Sequence, residues 1–155
     1  MGVDSGTFSD HTDVRPTMLT LLGLKDDYPH EGRALVEKFV GWAQPPAIKK
    51  SANFVVLATA LKQINAAVGP FGLATLHAST VALESGSADD DSLYTSIESQ
   101  LASFASQRDA LVAQIIPLLE GAQFTGTPIS DSTAQSLVRQ AQNLLSNVEA
   151  YRTSP

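Results

Sequence analysis

The chain has 155 residues, a net charge of −6 and no cysteine. Its length fits one domain, or one domain with a small attachment, and the lack of cysteine excludes disulfides, thiolate metal sites and cysteine nucleophiles. Because only ten lysines and arginines are present, the composition argues against nucleic acid as a partner, since phosphate binding needs clustered basic side chains. No apolar run approaches the roughly 20 residues of a membrane span.

Residues 1–45 are punctuated by glycine and proline, and their pattern predicts a short helical N-terminal segment. Asp13 is positioned to cap a helix whose first turn contains Pro16, because first-turn N–H groups have no partner within the helix. Gly23 is positioned to end this helix. Pro45-Pro46 then forms a stiff joint, so we expect residues 46–155 to be a separate domain.

Four segments after this joint have apolar residues at alternating steps of three and four. Such spacing places the apolar side chains on one face of a helix, which must be buried against other helices. The first predicted helix covers about residues 47–68 and the second about residues 71–84. The third begins at Asp90 or Asp91 and kinks or ends between Pro117 and Gly121. The fourth begins at Ser130 or Asp131 and extends to Tyr151. The predicted inner face of the first helix consists of Phe54, Leu57, Leu61, Ile64 and Val68, and that of the second of Leu73, Leu76, Thr80 and Leu83. The predicted inner face of the third consists of Ile97, Leu101, Phe104, Arg108, Leu111, Ile115 and Leu118, and that of the fourth of Ala134, Leu137, Ala141, Leu144, Val148 and Tyr151. Short connections predict an antiparallel up-and-down four-helix bundle in an all-α chain.

The run from Ser9 to Glu37 is SDHTDVRPTMLTLLGLKDDYPHEGRALVE. It combines H-x-D, P-T followed by L-L-G-L, and an E-G-R turn, and in this combination it resembles the C-terminal end of the alkaline phosphatase/sulfatase superfamily. The resemblance covers about residues 7–40. It implies a parent that is a metal-dependent phosphatase, phosphodiesterase or sulfatase, whose nucleophile and metal ligands lie upstream and do not map onto this sequence. The helical part carries K-Q-I-N-A at residues 62–66 and L-x-x-x-T-x-A-L-E-S-G at residues 76–86, and on these motifs it is also similar to the C-terminal extension of certain large bacterial members.

This resemblance implies that residues 1–45 are a remnant of the end of a phosphatase- or sulfatase-like domain from which the rest has been cut away. We therefore expect a non-catalytic accessory domain, used for packing, interaction or assembly, with no catalytic residue, cofactor or metal ligand of its own. The expected partner is the missing catalytic domain, or a second copy bound through the N-terminal segment. The resemblance also implies export of the parent to the periplasm or the cell exterior.

Asp10, His11 and Asp13 have the composition of a metal site. Ligands of zinc must converge at about 2.0–2.2 Å, however, and adjacent residues rarely do so. We therefore interpret Asp13 as a helix cap and His11 as a locally packed side chain. Ser51, Ser79 and Ser85 have neither a G-x-S-x-G elbow nor a paired base, so no nucleophile can be argued from the sequence.

Arg108 is unusual because it lies on the apolar stripe of the third predicted helix. One interpretation is an arginine at the edge of the stripe whose head reaches solvent. A second is a buried ion pair that fixes helix register, with a partner among Glu84, Glu98 and Glu149. A third is an anchor for a ligand carboxylate or phosphate inside the bundle.

Phe39 and Trp42 are expected to form an exposed apolar patch of the kind that promotes association. They also support an alternative function, a freestanding helical module. Such a module would bind a protein partner through the Phe39 and Trp42 region, or an apolar ligand in its interior.

Overall fold

The computed structural model describes residues 6–85 and 91–153. Within these two ranges the regular structure is helical and contains no strand, which confirms the prediction of an all-α chain. The α-helices are α1 (Val14–Leu22), α2 (Pro46–Lys49), α3 (Asn53–Asn65), α4 (Pro70–Ser85), α5 (Ser92–Glu120) and α6 (Asp131–Thr153). The remaining helical turns are two 3₁₀ turns at His11–Asp13 and Val36–Lys38, and a π-helical turn at Gly121–Thr125.

Helices α3, α4, α5 and α6 enclose the hydrophobic core, and every pair among them is in contact. The largest core side chains on α3 and α5 follow the predicted stripes, with Leu119 buried in place of the predicted Leu118. The principal buried residues are Phe54, Leu57, Leu61 and Ile64 of α3, Phe71 of α4, Phe104, Leu111 and Ile115 of α5, and Leu137, Leu144 and Val148 of α6.

The first predicted helix, over residues 47–68, is divided in the structure. The short α2 ends at Lys49, and α3 begins at Asn53 and ends at Asn65, because Ala66 has extended backbone with ψ 134°. Helix α4 then starts at Pro70, where the missing N–H costs no hydrogen bond, because first-turn N–H groups have no partner within the helix. Only four residues therefore separate α3 from α4.

The antiparallel up-and-down order of four helices is not confirmed. In that order the first and last helices run in opposite directions, so their starts lie at opposite ends of the bundle. Here the side-chain amide of Asn53, at the start of α3, donates to the carbonyl oxygen of Ile129 (2.9 Å) and to the Asp131 carboxylate (2.7 Å). The starts of α3 and α6 are therefore adjacent.

The inner face of α4 differs from the predicted one. Leu73, Leu76 and Leu83 are exposed, although they formed the predicted stripe. The buried α4 residues are Phe71, Ala74, Ala78 and Ala82. Both sets have helical spacing, and the small alanines allow α4 to lie close to its three neighbouring helices.

The N-terminal segment packs against α3 and the end of α5. Gly23 caps the C-terminal end of α1 as predicted, and its φ is 68°. The N–H of Leu24 donates a hydrogen bond to the carbonyl oxygen of Leu19 (2.9 Å). The side-chain amide of Gln123, in the turn after α5, donates to the hydroxyl of Thr20 on the buried side of α1 (2.9 Å). Helix α1 is thus held against the end of α5.

One stretch of the described residues, Asn53–Glu84, is long and apolar enough to be considered as a membrane span. Its most apolar 18-residue window has a mean hydropathy of 1.3, and 56% of that window is buried inside the fold. Buried core helices commonly have this composition, so the stretch is weak support for a span. The expectation that the chain has no membrane span stays a prediction.

Candidate functional site

A buried charge cluster joins the N-terminal segment to α3. The side chain of Lys62 is 1% exposed, and its Nζ lies 2.8 Å from Asp10 Oδ1, 2.9 Å from Asp13 Oδ1 and 2.8 Å from Thr12 Oγ1. Nζ donates hydrogen bonds to Asp10 and Thr12 and forms an ion pair with Asp13. We call Asp10, Thr12, Asp13 and Lys62 the junction cluster.

Asp13 has a different role from the predicted helix cap. It makes no side-chain hydrogen bond to the start of α1, because its carboxylate is fully buried and used elsewhere. Besides Lys62, it accepts the backbone N–H of Arg33 at Oδ1 (2.7 Å) and that of Asp10 at Oδ2 (3.0 Å). The residue that caps the adjacent 3₁₀ turn is Asp10, whose Oδ1 accepts the N–H of Thr12 (2.8 Å).

Gly32 allows the second half of the N-terminal segment to reach the junction cluster. A Cβ atom at this position would fall on the backbone carbonyl of Thr12. Because glycine has none, the chain around residues 31–33 lies directly against Thr12, and the N–H of Arg33 reaches Asp13. The H-x-D and E-G-R motifs are therefore in contact, which gives both a structural role.

Arg33 extends the charge cluster. Its side chain is 3% exposed and pairs with Glu37 through two N–H groups, one of them at 3.0 Å. Burial raises the pKa of Glu37, but Arg33 outweighs this effect and holds that pKa below its ordinary value. The Nε of Arg33 has no hydrogen-bond partner in the described part of the chain.

The neighbouring cations favour the ionised forms of Asp10 and Glu37. Burial raises the pKa of Asp10, but the Lys62 ammonium and the hydrogen bonds from Thr12 outweigh burial and hold that pKa at about 2. Two cations, Lys62 and Arg33, face three anions, Asp10, Asp13 and Glu37, at contact distance. These carboxylates are committed to ion pairs, so the arrangement is suited to fastening two parts of the chain together.

Sequence reasoning did not identify Lys62 as a site residue. It is the only charged residue in α3 and directly follows a core leucine. This single charge in an otherwise uncharged helix was the one feature of the sequence that could have indicated a buried ion pair. His11, the third residue of the considered metal site, is exposed. In the described ranges, no group of three or more His, Asp or Glu side chains is arranged to hold a metal ion.

Arg108 lies where a stripe-edge arginine is expected. Its guanidinium pairs with the neighbouring Asp109 (2.9 and 2.7 Å) and lies 5.4 Å from the centre of the Phe71 ring. The side chain is 31% exposed, so the guanidinium reaches solvent on one side and lies over the Phe71 ring on the other, in a cation–π contact.

The structure separates the two residues of the expected apolar patch. Phe39 is half-buried and packs against the core, whereas Trp42 is 84% exposed. The side-chain amide of Gln44 donates to the carbonyl oxygen of Val36 (3.1 Å) and holds this loop against the domain. Whether Trp42 takes part in association stays a prediction.

Helix α1 has two unlike faces. Pro16 and Thr20 are buried on its inner face. Its outer face carries apolar side chains at helical spacing that all face solvent, with Met18 57% exposed. This outer face consists of Val14, Met18, Leu21 and Leu22.

Comparison with known proteins gave no match: no family model, curated protein or solved structure is significantly similar to the chain. The likeness of residues 9–37 to the alkaline phosphatase/sulfatase superfamily therefore stays a prediction that rests on the motif.

Proposed function

We propose that this chain is a non-catalytic accessory domain of an alkaline phosphatase/sulfatase-superfamily hydrolase, and that the outer face of α1 contacts the catalytic domain. The proposal rests on the contrast between the two faces of residues 9–37, the segment that resembles the superfamily. Its inner face is fastened to the bundle through the junction cluster, and its outer face is apolar and exposed.

The size of the outer face favours a tethered partner. Complete burial of one such side chain contributes about 1.5–3 kcal/mol, so four side chains that are roughly half exposed would add on the order of 3–6 kcal/mol. Association of free partners costs about 4–15 kcal/mol in lost translational and rotational freedom. The face is therefore better matched to a domain linked to this chain than to self-association through the N-terminal segment.

A photo-crosslinking amino acid at position 18, introduced in cells that produce the protein, tests this proposal. The matched control position is Gln142, an exposed residue on α6. We expect crosslinks from position 18, and not from 142, to map to a hydrolase domain of this superfamily, in the same polypeptide or a separate one. Crosslinks at 18 that match the control, or that map to another class of protein, would overturn the proposal.

For the helical domain we propose three rods in place of four, with α3 and α4 forming one interrupted rod beside α5 and α6. The adjacent starts of α3 and α6 support this order. A ring contact of 5.7 Å between Phe104 of α5 and Tyr151 near the end of α6 also supports it. Spin labels at Ala52 and Ser132 should lie close together, whereas the four-helix order places them about 20–35 Å apart, the length of the helices.

A further inference from the structure

A cavity of about 280 Å³ lies between the N-terminal segment and the helical domain. One wall belongs to α1 and the chain that follows it, and the other belongs to α3, the end of α5 and the turn after α5. The apolar lining consists of Pro16, Leu19 and Ala34 on the first wall, and of Phe54, Leu61, Ile116, Leu119 and Phe124 on the second. Both walls are mainly apolar, and the cavity exists only while the segment is attached.

The polar side chains of the walls are engaged in bonds within the chain. The hydroxyl of Thr20 donates to the carbonyl oxygen of Pro16 (2.7 Å) and accepts from the side-chain amide of Gln123 (2.9 Å). The guanidinium of Arg33 is turned to Glu37, which does not line this cavity. Its Nε has no hydrogen-bond partner in the described part of the chain, but this atom has almost no accessible surface. The walls therefore offer a ligand little directed hydrogen bonding.

The loop over residues 24–29 forms the rim, where the cavity opens to solvent. These residues line the cavity and, apart from Asp26, are exposed. Oδ1 of Asp26 lies 3.0 Å from Nε2 of His30, and Oδ2 forms an ion pair with the guanidinium of Arg15. Oδ2 makes no hydrogen bond among the described residues, and it too has almost no accessible surface. The Asp26 carboxylate is therefore not available to a ligand.

The other charges of the lining also provide no anchor. Lys25 pairs with Glu120 (2.8 Å). Asp27 is exposed, so its carboxylate is hydrated and its attraction for a cation is screened by solvent. The rim is thus a path of entry to an apolar interior.

The volume of the cavity fits a molecule of roughly nine heavy atoms. A cavity of about 150 Å³ lined by apolar side chains holds benzene, and this one is nearly twice as large. It lies just below the range of about 300–1,000 Å³ that holds drug-sized ligands. Water is a poor occupant of the interior, because each buried water molecule needs about two to four polar partners.

We propose that this cavity binds a small uncharged apolar molecule of roughly nine heavy atoms, such as an alkylbenzene, which is held by contact with both walls. Because the walls belong to the N-terminal segment and to the helical domain, the bound molecule also strengthens the attachment of the segment. The site is independent of the proposed accessory role, since it lies on the side of α1 where Pro16 and Thr20 are buried.

Titration of the intact chain with propylbenzene and 2-phenylethanol tests the proposal. The two probes have the same size, but the alcohol has a hydroxyl in place of a methyl group. Because a buried hydroxyl without a partner is unfavourable, propylbenzene should bind at least about tenfold more tightly. NMR should show contacts from bound propylbenzene to the methyl groups of Leu19 on one wall and of Ile116 and Leu119 on the other. An absence of those contacts at saturation, or an affinity for the alcohol that equals or exceeds that for propylbenzene, would overturn the proposal.

Filling the cavity tests the location of the site. Leu19→Trp adds volume to the wall formed by α1 and should abolish propylbenzene binding. The matched control is Leu76→Trp, which changes an exposed leucine on α4 and should leave binding unchanged. Undiminished binding by a Leu19 variant that circular dichroism shows to be folded would contradict the site. If that variant does not fold, the NMR contacts in the unmodified chain decide.

Hydrogen exchange tests the effect on the attachment. A molecule that binds only the attached arrangement stabilises it by mass action. Saturation with propylbenzene should therefore slow exchange of the amides of Thr12 and Arg33, which donate to Asp10 and Asp13 in the junction cluster. Unchanged exchange of these amides at saturation would show that the bound molecule does not strengthen the attachment.

Discussion

Lys62 and Asp13 form a buried ion pair in which Nζ lies 2.9 Å from Oδ1 and both side chains are 1% exposed. Removal of two charges from water is expensive, and the attraction between them compensates only when their remaining hydrogen bonds are also satisfied. In this chain Asp10, Thr12 and the N–H of Arg33 supply those bonds. The N-terminal segment therefore attaches to α3 in one specific position.

Substitution of Lys62 by Met should strongly destabilise this attachment. The variant leaves the buried carboxylate of Asp13 and the partly buried carboxylate of Asp10 without their cation, and loss of one partner from a buried pair typically costs about 3–5 kcal/mol. We expect that decrease in the free energy of unfolding, measured by urea denaturation. The matched control Lys50→Met changes an exposed lysine and should have an effect within about 0.5 kcal/mol. Equal effects of the two substitutions would show that the cluster does not hold the segment.

Gly32→Ala should also destabilise the protein, because the added methyl group would overlap the backbone carbonyl of Thr12. Overpacking of this kind typically costs about 1–3 kcal/mol, and thermal or urea unfolding would measure it. At Gly41 an added Cβ meets no atom within 4 Å, so Gly41→Ala is the matched control. It should be neutral, or stabilising by up to about 1 kcal/mol through a more restricted unfolded chain. A larger loss at Gly41 than at Gly32 would contradict the close approach.

Stability should depend on acid through Asp10, whose pKa falls from 3.8 to about 2 in the folded protein. Because the folded pKa is the lower one, this group contributes its full stability above about pH 4 and loses it as the pH falls toward 2. Glu37, whose pKa is also lowered, acts in the same direction. Unfolding measured from pH 5 to pH 2 should show a shallower decrease for Asp10→Asn than for the unmodified chain. Identical slopes would disprove the contribution.

The sequence pattern predicted most helices because apolar periodicity is a local property. Helix α6 begins at Asp131 and buries Ala134, Leu137 and Leu144 as expected. For α4 the same periodicity predicted that Leu73, Leu76 and Leu83 are buried, but the buried stripe consists of Ala74, Ala78 and Ala82. The distance between packed helices decided between these two apolar faces, and that distance is not encoded in the spacing within one helix.

The junction cluster could not be predicted from local patterns. Lys62 is buried only because carboxylates about 50 residues earlier in the chain meet it, and a lone lysine beside Leu61 is otherwise expected to reach solvent. Asp13 was correctly noticed but interpreted as a cap, since a cap needs only neighbouring N–H groups. Apart from the neighbouring N–H of Asp10, its partners are Lys62 and Arg33, and Lys62 becomes a neighbour only when the segment has folded onto α3.

The isolated chain should not hydrolyse phosphate monoesters, phosphate diesters or sulfate esters. Asp10 and Asp13 are the carboxylates that resemble metal ligands, and both are held by Lys62, so a metal ion there would have to displace a buried ammonium. Assays with Zn²⁺, Mg²⁺ and Ca²⁺ should therefore give rates equal to buffer. His11→Ala and Asp13→Asn are the variants that decide the question, with folding checked by circular dichroism. Metal-dependent turnover that either substitution abolished in a folded chain would contradict both the structural role of the cluster and the non-catalytic function proposed for the chain.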